Sequence, residues 1–140
     1  MILIIFISKK KNLNIKLNTS SSKKFLIKGI SNRLEQIIAN LLDNAVSFSK
    51  KDSLIKVELN EDSASVILKV IDQGEGFRET DINKVFDRFY SNRPENFGEH
   101  SGLGLNIVKN LVEIHKGEII ASNNPKGGAE IEIKFPKNYN

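Results

Sequence analysis

Two hydrophobic periods alternate along this chain. Leu13, Ile15 and Leu17 alternate with Asn14 and Lys16, which predicts a half-buried strand over Asn12–Leu17. Thr19–Ser22 reads as a turn and Phe25–Ile27 as a returning strand. The period then becomes helical, with Leu34, Ile37, Ile38, Leu41, Leu42, Ala45 and Phe48 on one stripe. Asn32, with Glu35 three residues on, makes a capping-box pattern at its start. Leu54–Leu59 and Ser65–Asp72 predict two strands about a polar turn at Asn60–Ser63, and Asp81–Phe89 a short helix. Ser91–Ser101 has no periodicity and reads as a loop. Gly102–His115 predicts a second long helix, with Leu105, Val108, Leu111 and Val112 on one face and Gly117 in the C-cap position. Glu118–Ala121 and Glu130–Phe135 close the chain as strands, the last with Ile131, Ile133 and Phe135 facing one way. The sum is an α+β chain with a mixed sheet covered on one face by helices.

Length and composition narrow this further. The 140 residues suit one domain, with 39% hydrophobic and 27% charged residues close to the globular average. No apolar run approaches the ~20 residues that cross a bilayer. The Ile-rich start, Met1–Ile7, lacks the basic beginning and small-residue cleavage site of a signal peptide, and fits either a strand or the end of a buried helix. The chain has no cysteine, which excludes thiolate chemistry and suits a reducing compartment, and its two histidines make a histidine-built zinc site a poor fit. The net charge of +4 conceals an asymmetry: residues 1–34 hold seven lysines and one arginine without an acid, and the rest carries −4. With one lysine triplet, Lys9–Lys11, and little aromatic interleaving, this basic arm suits a solvated edge better than a nucleic-acid site. We therefore expect neither nucleic-acid binding nor membrane contact by the domain itself.

Three features carry chemistry. On the first helix Gln36, Asn40, Asn44 and Ser47 form a polar column opposite the apolar stripe. It is either a solvent face or a set of amide oxygens addressed to a hard cation such as Mg²⁺, with substrate phosphates supplying the negative charge. Asp72-Gln73-Gly74-Glu75-Gly76 begins where an apolar strand ends on a carboxylate. It is either an ordinary turn or a place where a flat ligand approaches the backbone and Asp72 accepts a hydrogen bond from an exocyclic amine. Ser101-Gly102-Leu103-Gly104-Leu105 runs directly into a helix, as a close-packed helix start or as an anion site at the helix N-terminus.

Taken in order and spacing, these motifs resemble the ATP-binding catalytic domain of bacterial sensor histidine kinases, in the superfamily shared with gyrase, the heat-shock chaperone ATPase and mismatch-repair ATPases. The matching motifs are Asn40-Leu-Leu-Asp-Asn44-Ala45, Asp72-Gln-Gly74-Glu-Gly76, Phe86-Asp-Arg-Phe89-Tyr90, Gly102-Leu-Gly104-Leu105, Val112–Gly117 and Gly127-Gly128. The resemblance covers roughly residues 12–136 and implies a two-layer Bergerat-type sandwich: a mixed, mostly antiparallel sheet under about three helices. It assigns residues 12–140 to the catalytic domain and residues 1–11 to the end of a preceding linker helix. It implies binding of ATP and Mg²⁺, with Asn44 ligating the metal, Asn40 supporting it and Asp72 reading the adenine amine. Gly74 and Gly76 would let the base approach, with Phe48 and Tyr90 near the nucleotide. Ser91–Ser101 would form a lid hinged at Gly102 and Gly104, with Ser101, Leu103 and Leu105 beside the phosphates and Phe86 and Phe89 anchoring its base.

The departures are specific. Ser47 and Ser91 stand where the family often has basic residues, and Arg93 is placed to take over a phosphate contact. His100 replaces the lid's usual leading glycine. Neither His100 nor His115 has the setting of the family's phosphoacceptor, and His115 suits a structural role. The resemblance thus implies a cytoplasmic domain acting on a phosphoacceptor dimerisation domain absent from this chain, with a response regulator downstream; the full-length kinase can be anchored in the inner membrane. Hydrolysing relatives carry a glutamate four residues before the metal asparagine. Here that slot is Asn40, which cannot accept a proton. The rival expectation is a non-catalytic or regulatory ATP-binding module of the same fold.

Overall fold

Strand β1 (Asn14–Thr19) lies parallel to β2 (Leu54–Glu61), with Asn14 opposite Leu54 and Thr19 opposite Leu59. Parallel neighbours cannot be joined by a tight turn, and helix α1 (Ser31–Phe48) makes the crossover. β3 (Ser65–Ile71) returns antiparallel to β2, and a 3-10 helix (Ile82–Phe86) and helix α2 (Gly104–Ile114) follow. β4 (Glu118–Asn123) and β5 (Ala129–Pro136) then form a hairpin, giving the sheet order β1-β2-β3-β5-β4. The computed structural model describes residues 14–19, 26–88 and 104–137. Among these the expected α+β two-layer architecture holds, with a single parallel pair in an otherwise antiparallel sheet.

Period-two alternation divides the sheet into two faces. Val66, Leu68 and Val70 of β3 are buried opposite Phe135, Ile133 and Ile131 of β5. Ile133 and Ile131 in turn face Ile119 and Ala121 of β4, so apolar rows run across the strands. Onto these rows pack Ile37, Leu41, Leu42, Ala45 and Val46 from α1 and Leu105, Val108, Leu111 and Val112 from α2. The other face is polar: Lys69 lies between Glu58 and Glu132 in register, and opposite charges on neighbouring strands favour that register.

Several elements differ from the sequence reading. Leu26 and Ile27 belong to no strand; among the described residues the one neighbour of β1 is β2, and Ile27 packs on the core while leading into α1. Asn32 does not cap α1. The helix begins at Ser31 with Ile30 in the N-cap position and no side-chain cap, because a distant residue satisfies the entry instead. The helix expected over Asp81–Phe89 is a five-residue 3-10 helix whose start is capped by the Asp81 carboxylate accepting from the Asn83 N–H at 3.2 Å. The described residues thus carry two α-helices and this 3-10 helix. Gly117 is not the left-handed residue after α2. Lys116 holds that position at φ +60°, while the N–H groups of Lys116 and Gly117 donate to the carbonyls of Glu113 and Val112 in a Schellman arrangement. Gly117 is needed for closeness: a Cβ there would lie 2.7 Å from the Lys134 carbonyl oxygen. The linker-helix expectation for residues 1–11 lies outside the described residues.

The distant residue at the α1 entry is His115, 2% exposed at the end of α2. The Ile30 N–H donates to its Nε2 at 3.0 Å, so the ring proton sits on Nδ1, which donates to the Leu111 carbonyl at 2.7 Å. The ring also meets Phe135 edge-on, with centroids 6.4 Å apart. One neutral imidazole therefore joins both helices to β5, which bears out the structural role expected of it. Replacing it with an apolar ring leaves the part-buried Ile30 N–H without its partner and removes the buried bond to the Leu111 carbonyl, at about 1–3 kcal/mol. His115→Phe should lower the unfolding free energy by that amount in a urea titration.

Candidate functional site

The site grows from the end of β3, where the chain passes from an apolar strand to Asp72 and Gly74. Asp72 is 3% exposed, and its carboxylate Oδ1 accepts from the N–H groups of Gly74 at 2.9 Å and Ala129 at 3.1 Å. Its own N–H donates to the Ala129 carbonyl at 3.0 Å, so β5 grips this residue by backbone and side chain together. These bonds fix the carboxylate's direction and offset the cost of burying a charge. Gly128, at φ +90°, makes the grip possible: a Cβ there would overlap the Asp72 carbonyl oxygen. Gly74 is also a necessary close approach, because a Cβ would meet the Phe48 carbonyl oxygen at 2.6 Å. The last turn of α1 thus rests against the glycine loop.

Asn44 lies one helical turn before Phe48, and Asn40 one turn before that. Both are half-buried, as are Gln36 and Ser47, so the polar column is not a freely solvated stripe. Among the described residues neither Asn40 nor Asn44 has a side-chain hydrogen-bond partner, which leaves two half-buried amides on the helix whose last turn meets Gly74. Phe48 itself is buried, with its carbonyl against Gly74. Ser49 secures this turn by donating from Oγ to the Ala45 carbonyl at 2.6 Å.

The third motif is described from Gly104 onward. Gly104 and Leu105 open α2, Leu105 is buried, and a Cβ on Gly104 would meet nothing within 4 Å. Phe86 is buried as expected. The Lys109 ammonium stands 5.7 Å from its ring centroid, and Asn106 donates to its carbonyl at 3.0 Å, binding the start of α2 to the 3-10 helix. Phe89, Tyr90, Ser91, Arg93, His100, Ser101, Gly102 and Leu103, with the expected lid, lie outside the described residues.

Sequence reasoning missed Asn106 and Asn123, whose partners are backbone groups remote in sequence and leave no local pattern. It also gave no sign of a groove of about 470 Å³ at this strand end, lined by Lys56, Glu58, Ile71 and Gln73 among others. Helix α1 contributes nothing to its lining, and strand alternation sets it on the sheet face away from the helices. Asp72 is part of its lining, so the groove adjoins the candidate site from the sheet face away from α1.

The candidate site thus combines a buried carboxylate at a strand end, a glycine turn packed against the last turn of α1, and a second helix led by a glycine in an α+β sandwich. The family described as "Histidine kinase-, DNA gyrase B-, and HSP90-like ATPase" matches residues 29–139, and the chain belongs to it. It is 42% identical over 106 residues to sensor protein KdpD of Clostridium acetobutylicum, a match spanning 74% of this chain and 12% of that protein. It is 34% identical over 128 residues to sporulation kinase A of Bacillus subtilis, spanning 90% of this chain and 20% of that protein. The solved mycobacterial sensor histidine kinase MprB superposes with a TM-score of 0.81 at 27% identity, over 95% of this chain and 88% of that one. These likenesses identify an ATP-binding catalytic domain of the sensor-histidine-kinase type. The chain spans a small part of its curated relatives' length.

The glycines give a test that separates architecture from ligand contact. Gly128→Ala should cost about 3 kcal/mol or more, because it strains a left-handed position and collides with Asp72. Gly104→Ala should keep or raise the thermal midpoint, since alanine is the better helix residue by about 0.5–1 kcal/mol. Circular dichroism melts read both outcomes, and a loss of nucleotide affinity in a fully folded Gly104→Ala variant would assign that glycine to the phosphates.

Proposed function

We propose that this chain binds Mg²⁺·ATP and presents the γ-phosphoryl group to a phosphoacceptor histidine on a dimerisation domain outside the chain, with a response regulator as the downstream partner. The supporting observation is a buried, oriented carboxylate, Asp72, on a glycine turn that packs against the end of the helix carrying Asn40 and Asn44, two half-buried amides with no side-chain hydrogen-bond partner among the described residues. The donor set suits the group: neutral amide oxygens accept Mg²⁺ when nucleotide phosphates carry the charge. Asn44 would hold the cation with Asn40 beside it, Gly74 and Gly76 would let the base lie close, and Asp72 would accept from the adenine amine. Phe48, Tyr90, Ser101, Gly102, Leu103, Gly104 and Leu105 complete the proposed nucleotide site, and Arg93 its phosphate contact. Bound Mg²⁺ would supply neutralisation of the phosphate charge. The residues of this chain position and orient; the nucleophile comes from the partner domain. Sensor-kinase kinship also supports action on the cytoplasmic side, with the longer kinase anchored in a membrane.

Asn40 bears on the reaction class. Its amide cannot take a proton from water, and the acids nearest it on α1, Glu35 and Asp43, are exposed. The isolated chain should therefore bind ATP in a calorimetric titration with Mg²⁺ and turn it over barely above background. Mixed with a matched dimerisation domain carrying its histidine, it should place acid-labile phosphate on that domain. Vigorous hydrolysis without transfer would overturn the kinase reading, binding without transfer would favour the regulatory alternative, and absence of binding would sink both.

Asp72 also sets base selectivity. Guanine offers a carbonyl where adenine offers an amine, which sets two acceptors against each other. GTP should bind roughly ten- to a hundredfold more weakly than ATP, and Asp72→Ala should lose a similar factor for ATP. Equal affinities for the two nucleotides in the same titration would remove Asp72 from the base site.

A further inference from the structure

We infer that Asn123 is a positioning residue for the nucleotide base: it fixes the far end of the loop whose near end is Asp72. The inference rests on the proposed base site. Asn123 is the last residue of β4, outside every motif that marks the site. Its carboxamide makes a paired contact with one peptide unit pair of the loop, Oδ1 accepting from the Phe77 N–H at 2.7 Å and Nδ2 donating to the Phe77 carbonyl at 3.0 Å. This reproduces with a side chain the two bonds that a neighbouring strand would make. Gly76, immediately before, sits at φ +83°, and a Cβ on it would lie 2.6 Å from Asn123 Oδ1, so glycine and asparagine are fitted to each other.

The sheet register gives the arrangement its meaning. Asn123 is paired across the hairpin with Ala129, whose N–H donates to Asp72 Oδ1. One rung of the β4–β5 ladder therefore holds both ends of the Asp72–Phe77 loop, at Asp72 through Ala129 and at Phe77 through Asn123. The distance between the base-reading carboxylate and Gly76 is set by that rung. Phe77 is buried, which prevents the loop end from following a lost partner outward and makes the amide contact a matter of alignment more than attachment. The Asn123 side-chain hydrogen bonds go to Phe77, on the loop that would carry the base, so the effect should fall on recognition of the base.

The test compares ATP with inorganic tripolyphosphate, both with Mg²⁺, by calorimetry on the wild-type chain and on Asn123→Ala and Asn123→Asp. Asn123→Ala should weaken ATP about tenfold or more and narrow the ATP-to-GTP ratio, with tripolyphosphate affinity unchanged. Asn123→Asp keeps the acceptor for the Phe77 N–H and loses the donor to the Phe77 carbonyl, so it should also weaken ATP selectively. Unchanged ATP affinity in a folded variant, or an equal loss for ATP and tripolyphosphate, overturns the inference. Should neither variant fold, hydrogen exchange on the wild-type protein decides: the Phe77 amide should be protected and become more so with ATP, and exchange as fast as an exposed loop amide overturns it. A wild-type chain that binds no ATP defeats the functional reading instead, which separates the two failures.

Discussion

The contact on which the site depends is the one between Gly128 and the carbonyl of Asp72, where two backbones approach more closely than any side chain permits. Because they meet there, the Asp72 N–H can donate to the Ala129 carbonyl while the Asp72 carboxylate accepts from the Ala129 N–H. A carboxylate this deeply buried is costly unless its oxygens are hydrogen-bonded. The two N–H donors on Oδ1 come from opposite directions in the sequence, two residues ahead and 57 residues ahead. The local donor closes the glycine turn; the distant one locks the turn to the sheet. Neither alone would hold the charge in one direction, and a carboxylate meant to read a ligand needs direction as much as burial.

The helical layer supplies the other half of the same geometry. The apolar stripe of α1 fixes its rotation about its axis, and in that rotation Asn40 and Asn44 stand half-buried beside the stripe. Its two ends are held by different means. At the start His115 takes the Ile30 N–H, and at the finish the Phe48 carbonyl rests over Gly74 while Ser49 closes the last turn. The amides are thus located by contacts at both ends of an eighteen-residue helix. That is how residues with no direct bond between them keep a common orientation.

What was readable in the sequence, and what was not, divides along the range of the interactions. The strands and long helices are written in short-range alternation, and Ile131, Ile133 and Phe135 face inward as their spacing requires. The described part of the candidate site was legible as elements because its motifs are contiguous: Asp72, Gly74 and Gly76 in one turn, Asn40 and Asn44 in one helix. The misreadings share a cause, which is that a distant partner outweighed a local signal. Asn32 is a plausible cap that lost to His115, 85 residues from Ile30. Gly117 looks like a helix stop, yet its absent side chain answers to the Lys134 carbonyl on another strand, while Lys116 accepts the left-handed turn. Asn123 carried no signal at all, because its role exists only once β4 and the glycine loop are neighbours.

The donor set also constrains how a metal would be held. Among the described residues no group of three histidine, cysteine, aspartate or glutamate side chains stands together. A cation placed at Asn44 would meet a neutral amide oxygen, which contributes dipole but no charge. Mg²⁺ dehydrates reluctantly and needs anionic ligands to compensate, so the protein side of such a site is too weak to retain it alone. On the proposed reading the phosphates would bring the charge, and metal and nucleotide would bind as one unit. Asp72, a deeply buried carboxylate, would on the same reading serve a hydrogen-bond donor at the base end, and the phosphate end would be left to amides that neither repel phosphate nor activate water. On that reading the chain would hold ATP intact until a nucleophile arrives from outside.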